Sequence, residues 1–291
     1  MLCAIHRHRV GGTVNSLQNE PIAALLDAGA SGTELTLPPS LWGFGGVHGG
    51  LALALVVRAM QRAAGDRTLR SIHAQFKKPL RDPFVVEVDD EGQGRTVSWI
   101  GARAIVHGTA TLRASAVFSV GDSGPAHASP AMPDVAQPEN CPTVGIPREH
   151  APPFLRRTEL RPVGSARPYT GGPKPELTAW LRLVDDDVPP DDSRLIVLMD
   201  SLAPSYLAVL RAPVALPTVT YSVSIGSGLA QASSPWILVR ARTDLASHDW
   251  VYERLDAWAP DGTYLGAGEQ LRLVAKESPE HAIPDNRNVS R

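Results

Sequence analysis

The sequence predicts an α+β protein made of two fused copies of one domain, each an antiparallel sheet wrapped around a central helix. Three observations carry that expectation across the 291 residues. One helix is too apolar to lie on a surface, four strand-like segments follow it, and the same order of elements returns after a proline-rich span.

The first helix is read over Gly45 to Ala64, where apolar residues fill nearly every position from Leu51 to Met60. A surface helix shows one apolar stripe, so apolarity on most sides implies a helix enclosed by other structure. Strand-like segments then run from Leu69 to Lys77, Phe84 to Asp90, Thr96 to Val106 and Thr109 to Val120. Gly92 to Gly94 and His107-Gly108 supply turns between them.

The second half repeats this order. Leu177 to Val184 alternates Leu177, Ala179, Leu181 and Leu183 on one face, as a half-buried strand does. Ser193 to Leu210 has apolar residues at helical spacing and is expected to bend near Pro204. Strands are expected over Thr218 to Ile225, Pro235 to Thr243, Trp250 to Ala259 and Thr263 to Val274, with Asp261-Gly262 as a tight turn. Ser98 to Phe118 matches Trp250 to Leu273, His107-Gly108-Thr109 aligning with Asp261-Gly262-Thr263. A repeat of this length indicates a duplicated domain in which each copy supplies half of a continuous sheet. Helix followed by a strand meander, twice, is the layout of a double hot dog.

Between the halves, Pro125, Pro130, Pro133, Pro138, Pro142, Pro147, Pro152 and Pro153 interrupt any helix or central strand. The expected boundaries are an N-terminal hot-dog domain over 20–120, a linker over 121–175, a C-terminal hot-dog domain over 176–275 and a tail over 276–291.

Charge narrows the function classes. With 28 basic and 30 acidic residues the formal net charge is −2, so no global field draws the chain to nucleic acid or to an anionic membrane. The longest aliphatic run, Leu51 to Val57, falls far short of the roughly 20 residues that span a bilayer. The two cysteines, Cys3 and Cys141, form neither a disulfide framework nor a metal-site spacing, which fits a reducing cytoplasm. The N-terminal residues read as a tail without an apolar run behind their basic residues.

Several motifs drop out on spacing. Gly43-Phe44-Gly45-Gly46-Val47-His48 lacks the last glycine of a dinucleotide fingerprint. Ser224-Ile225-Gly226-Ser227-Gly228 is not a nucleophile elbow. Asp185, Asp186, Asp187, Asp191 and Asp192 flank two prolines without the spacing of a calcium loop. No metal or organic cofactor is expected.

Gly45-Gly46-Val47-His48-Gly49-Gly50 entering the first helix and Ile72-His73-Ala74-Gln75-Phe76-Lys77-Lys78-Pro79 on the next strand carry a resemblance. In order and spacing, over roughly residues 30–120 and 176–274, the chain resembles the double hot-dog acyl-CoA thioesterases of the thioesterase II group. That resemblance implies a carboxylate, a hydroxyl and an amide in the C-terminal half that position the water attacking a thioester. Carried over singly, these fall on Asp200, Thr218 and Gln270. Where that family has Asp-His two residues after the threonine, this chain has Thr220-Tyr221.

The chemistry suits these residue types. Thiolate is a good leaving group, so hydrolysis chiefly needs a positioned nucleophile and a place for the developing oxyanion. An aspartate can orient water and accept its proton, while the hydroxyl and amide hold that water. Backbone N–H groups of the glycine loop, at a helix N-terminus, are the oxyanion candidates. Gly45, Gly46, His48 and Gly49 are therefore expected at the substrate. Lys77 and Lys78, with Arg70 and Arg81 nearby, are candidates for the phosphates of CoA.

The resulting expectation is a cytoplasmic acyl-CoA thioesterase of fatty acid metabolism, with acyl-CoA as its substrate and a homo-oligomer left open. Two rivals remain: a hot-dog dehydratase or hydratase using His48 and Asp200 as an acid–base pair, and a noncatalytic protein that binds acyl-CoA or polyketide.

Overall fold

The computed structural model describes residues 15–16, 20–29, 34–121, 124, 129–143 and 152–275. The tails expected at either end lie outside them, together with Cys3. A short helix α1 (Ile22–Gly29) separates two minimal strands, β1 (Asn15–Ser16) and β2 (Leu35–Thr36), which pair in parallel.

Ten further strands form one antiparallel sheet. After helix α2 (Gly49–Ala64) come β3 (Thr68–Phe76), β4 (Val85–Gln93), β5 (Val97–Val106) and β6 (Thr109–Ser119). The C-terminal part contributes β7 (Thr158–Pro162), β8 (Glu176–Leu183), helix α3 (Asp192–Met199), β9 (Thr218–Ile225), β10 (Ile237–Ser247), β11 (Trp250–Trp258) and β12 (Tyr264–Leu273). Their spatial order is β4-β5-β6-β3-β9-β12-β11-β10-β8-β7.

The order contains the same sequence of strands twice, read outward from the centre. β3, β6, β5 and β4 on one side correspond to β9, β12, β11 and β10 on the other. The two sets join through β3 and β9, with Ser71 opposite Ser224 and Gln75 opposite Thr220. The repeated hairpins are β5–β6 and β11–β12. Their turns use the left-handed backbone at His107 (φ 46°), Gly108 (φ 75°) and Gly262 (φ 89°).

Helix α2 lies inside this wrap: every residue from Gly50 to Val57 is buried, as is Met60. Each fully buried aliphatic side chain there removes about 1.5–3 kcal/mol worth of apolar surface from water. α2 meets α3 closely at Gly50, where a Cβ atom would stand 2.8 Å from Asp200 Cβ and 3.1 Å from Val197 Cα.

Several features differ from the sequence reading. Helix α2 begins at Gly49 and not at Gly45, with His48 as its N-cap, and β4 continues through Gly92 to Gln93, where a turn was expected. The expected helix over Ser193 to Leu210 stops at Met199, and a separate 3-10 turn covers Ser205–Ala208. Pro204 cannot donate a backbone hydrogen bond and pushes the residue before it away from helical angles. The carbonyls of Ile196, Val197 and Leu198 at this end are all taken: Ile196 O accepts from Asp200 N–H at 3.4 Å and from the Tyr221 hydroxyl at 3.1 Å, Val197 O from the Ser201 hydroxyl at 2.7 Å, and Leu198 O from Ser201 N–H at 3.1 Å.

The span read as a linker also contains structure. β7 is the last strand at the C-terminal edge of the sheet. Before it, the backbone around Ala136 and Pro130 accepts hydrogen bonds from Trp180 and Trp258, each at 2.8 Å. This strap covers a second apolar cluster of Cys141, Trp180, Trp236, Leu238 and Trp258.

Candidate active site

The N-terminus of α2 and the C-terminal end of α3 come together beside the inner face of β12. The first four N–H groups of a helix have no partner within it, and here three of the four are accounted for. His48 is the N-cap, and its own N–H donates to Leu41 O at 3.0 Å. Gly50 N–H donates to Asp200 Oδ2 at 2.6 Å, and Leu51 N–H to His48 Nδ1 at 3.3 Å. The N–H of Gly49 has no hydrogen-bond partner among the described residues.

Asp200 follows the last residue of α3 and caps that helix. Its other carboxylate oxygen, Oδ1, accepts from Gln270 Nε2 at 2.7 Å. His48 Nε2 lies 3.4 Å from Oδ2 and 3.2 Å from the Asp200 carbonyl. Since His48 Nδ1 accepts from Leu51, the ring proton is assigned to Nε2, facing Asp200. The Asp200 side chain is 9% exposed, so this meeting of donors takes place in a largely dry site.

His48 is held neutral. Burial pushes its pKa below the ordinary value, outweighing the raising effect of Asp200 beside it. Phe154 stacks on the imidazole with centroids 4.0 Å apart and planes 11° from parallel. Both nitrogens being engaged, the ring has no free lone pair to act as a base.

Gln270 reaches Asp200 because of the alternation of β12. Gly266, Gly268, Gln270 and Arg272 all face inward from that strand and are buried. The glycines admit α3: a Cβ at Gly268 would stand 3.0 Å from Met199 Cε. Gln270 follows where the helix ends at Asp200, and the larger side chains have room beyond it.

The structure thus brings Asp200, Gln270, His48 and Gly49 to one point. Thr218 is connected to it indirectly, its Oγ1 accepting from Arg272 Nη1 at 2.9 Å while Arg272 also donates to Gln270 Oε1. Gly46 packs closely instead of opening a site, since a Cβ there would lie 2.8 Å from Leu80 O. Gly45 adopts φ 85° in the preceding turn, and its carbonyl accepts from Arg81 Nε at 2.5 Å. Lys77 and Lys78 are exposed just beyond the end of β3, and their backbone N–H groups bond Thr111 O. Arg70 does not join them. It sits near the opposite end of β3, roughly 23 Å along the strand, bonded to Ser119 Oγ and Gly121 O.

Sequence reasoning missed Arg272, Glu253 and Phe154, and it offered the N–H of Gly50, within the glycine loop, to an oxyanion, whereas Asp200 Oδ2 takes it. The period of two in β12 puts Arg272 on the same face as Gln270 and was available as a signal. Phe154 carried none, because it reaches His48 from the span read as linker.

Among the described residues, no group of three or more His, Cys, Asp or Glu is placed to hold a metal ion. No helix among them is long and apolar enough to cross a membrane.

Comparison with known proteins agrees with this architecture. Residues 38–119 match the family model of the acyl-CoA thioesterase N-terminal domain, and residues 138–274 that of the C-terminal domain. Acyl-CoA thioesterase 2 of Haemophilus influenzae is 36% identical over 101 residues, a match spanning 34% of this chain and only 35% of that protein. A hot-dog protein of unknown function from Alicyclobacillus acidocaldarius superposes with a TM-score of 0.77 at 22% identity, over 84% of this chain and 92% of that one. The acyl-CoA thioesterase II of Mycobacterium marinum gives 0.67 at 17% identity, over 88% of this chain and 99% of that one. These two likenesses concern the fold. With both domain models matched in order over most of its length, the chain belongs to the acyl-CoA thioesterase family.

Proposed function

We propose that this protein hydrolyses an acyl-CoA thioester to the free acid and CoA, at the point where α2, α3 and β12 converge. The observation that carries the reading is the juxtaposition of an acceptor and an unused donor. The Asp200 carboxylate is held by Gln270 and Gly50, and a Cβ at Gly49 would lie 3.1 Å from Asp200 Oδ2. Gly49 therefore lies against that carboxylate, and its N–H has no hydrogen-bond partner among the described residues.

In this reading the thioester carbonyl oxygen accepts from Gly49 N–H, at the positive end of the α2 dipole. Asp200 takes a proton from a water that attacks the carbonyl carbon, with Gln270 fixing the carboxylate and Thr218 at the edge of the group. The tetrahedral intermediate then expels the thiolate of CoA, which recovers the proton from Asp200. This reading assigns the exposed Lys77 and Lys78 to the CoA phosphates, which favour cationic partners. The same reading puts the protein in the cytoplasm, in fatty acyl metabolism, acting without a metal or organic cofactor.

His48 orients the site. Its engaged nitrogens favour hydrolysis over the dehydratase alternative, which asks it to exchange a proton with substrate. The test is thiol release from acyl-CoAs of graded chain length. Turnover of at least one of them supports the reading; tight binding without thiol release at any length refutes it and favours a binding protein. Hydration of an enoyl-CoA without thiol release favours the dehydratase class.

A further inference from the structure

Arg272 is a cation buried beside the candidate site, 5% exposed, to which the hydrolytic scheme gives no task. Its guanidinium makes contacts on three sides. Nε donates to Glu253 Oε2 at 3.0 Å, Nη1 to Thr218 Oγ1 at 2.9 Å and Leu216 O at 3.3 Å, and Nη2 to Gln270 Oε1. Glu253, 1% exposed, uses its other oxygen to accept from Ser205 N–H at 2.5 Å.

A buried ion pair is a poor device for stability, because desolvating two charges offsets most of their attraction and apolar replacements are often as stable. Its position against both Gln270 and Thr218 suggests another purpose. An amide side chain can present either its oxygen or its NH2 group to a neighbour, and only the NH2 end suits the Asp200 carboxylate. A guanidinium has donors alone, so the end of Gln270 that faces Arg272 must be Oε1. Nε2 is then left facing Asp200 Oδ1, as observed at 2.7 Å. The same logic applies to Thr218: with Arg272 donating to its oxygen, its own O–H proton is directed elsewhere.

We propose that Arg272, anchored by Glu253, is a positioning residue of the reaction, setting the direction of the Gln270 amide and of the Thr218 hydroxyl. The proposal rests on the hydrolytic reading of Asp200 and Gln270. Arg272 touches neither substrate nor the attacking water; it acts through the two groups it orders.

The test removes both charges at once, so that no unpaired ion is left buried. In Arg272→Met/Glu253→Gln the new glutamine still offers an oxygen to Ser205 N–H. Measured by thiol release, kcat should fall about 10- to 100-fold, the scale on which loss of positioning acts, with KM little changed. Introduced into Gln270→Ala/Thr218→Ala, the same pair should add less than about threefold, since both groups it orders are gone. Wild-type kcat in the folded pair variant, or losses that multiply with Gln270→Ala/Thr218→Ala, would overturn the proposal alone. Unaltered kcat in Gln270→Ala itself overturns the proposal together with the reading it rests on. Should the pair variant fail to fold, Arg272→Lys decides. A lysine keeps the charge beside Glu253 but cannot bridge Gln270 and Thr218 with one planar fork. Reduced kcat at near-normal KM supports positioning, and wild-type kcat overturns it.

Discussion

Replacing Asp200 by Asn probes the site most directly, and the structure shows why the change is less mild than it looks. Every group that meets the carboxylate is a donor: Gln270 Nε2 at 2.7 Å, Gly50 N–H at 2.6 Å and His48 Nε2 at 3.4 Å. An asparagine has one oxygen for these donors, and its NH2 group must face another of them. If the oxygen keeps Gly50, the NH2 points at Gln270, which cannot turn its own oxygen inward while Arg272 holds it. One buried donor is left unsatisfied at a cost of about 1–3 kcal/mol. At about 2–4 °C per kcal/mol for a chain of this size class, thermal unfolding should begin several degrees lower. Catalysis suffers more, because the amide cannot accept a proton from water. The turnover rate should fall by roughly 10²- to 10⁴-fold, the range for losing a positioned base. A thiol-release assay under single-turnover conditions, paired with a melting curve, reads both effects. A folded Asp200→Asn protein that releases thiol at a near-normal rate would refute the assignment of Asp200 as base.

Further expectations follow from particular contacts. Gly50→Ala gains up to about 1 kcal/mol of helix propensity, yet its Cβ would stand 2.8 Å from Asp200 Cβ and 3.0 Å from Ile196 O. Overpacking of about 1–3 kcal/mol should win, giving a lower denaturant midpoint and lost activity; a more stable protein would contradict the close approach of the helices. Stability should carry the signature of a buried neutral His48. Its folded pKa lies below the ordinary 6.5, so its contribution is complete above about that pH and is lost as pH falls toward the folded value. His48→Asn keeps a good N-cap and should flatten the fall in stability between pH 7 and 5.5, by at most about 1.4 kcal/mol per pH unit; an unchanged slope would show that His48 is not the group responsible. Lys77→Gln/Lys78→Gln should raise KM for acyl-CoA several-fold while sparing kcat, with the difference shrinking at high salt; no change in KM would remove both lysines from the CoA contact.

How much of this was legible in the sequence differs from element to element. Local pattern alone decided that Leu51 to Met60 is a buried helix, because only enclosure on all sides suits apolar side chains on every face. The repeated strand order and the Asp261-Gly262 and His107-Gly108 turns likewise placed the hairpins, since alternation and left-handed turn residues are short-range properties. Asp200 and Gln270 stood out by resemblance, 70 residues apart, and their hydrogen bond is a tertiary fact. So is the role of Gly50, whose N–H is taken by a carboxylate 150 residues away because glycine lets two helices approach within contact of their backbones. The end of α3 at Met199 was only half visible: Pro204 signals a break, but the partners that satisfy the exposed carbonyls come from β9 and from the turn itself. Periodicity says which face a residue occupies and composition says whether that face is buried. Which donor meets which acceptor across the joined halves depends on packing between distant segments, and only the tertiary structure decided that Gly49 lies against Asp200 with an N–H that has no partner among the described residues.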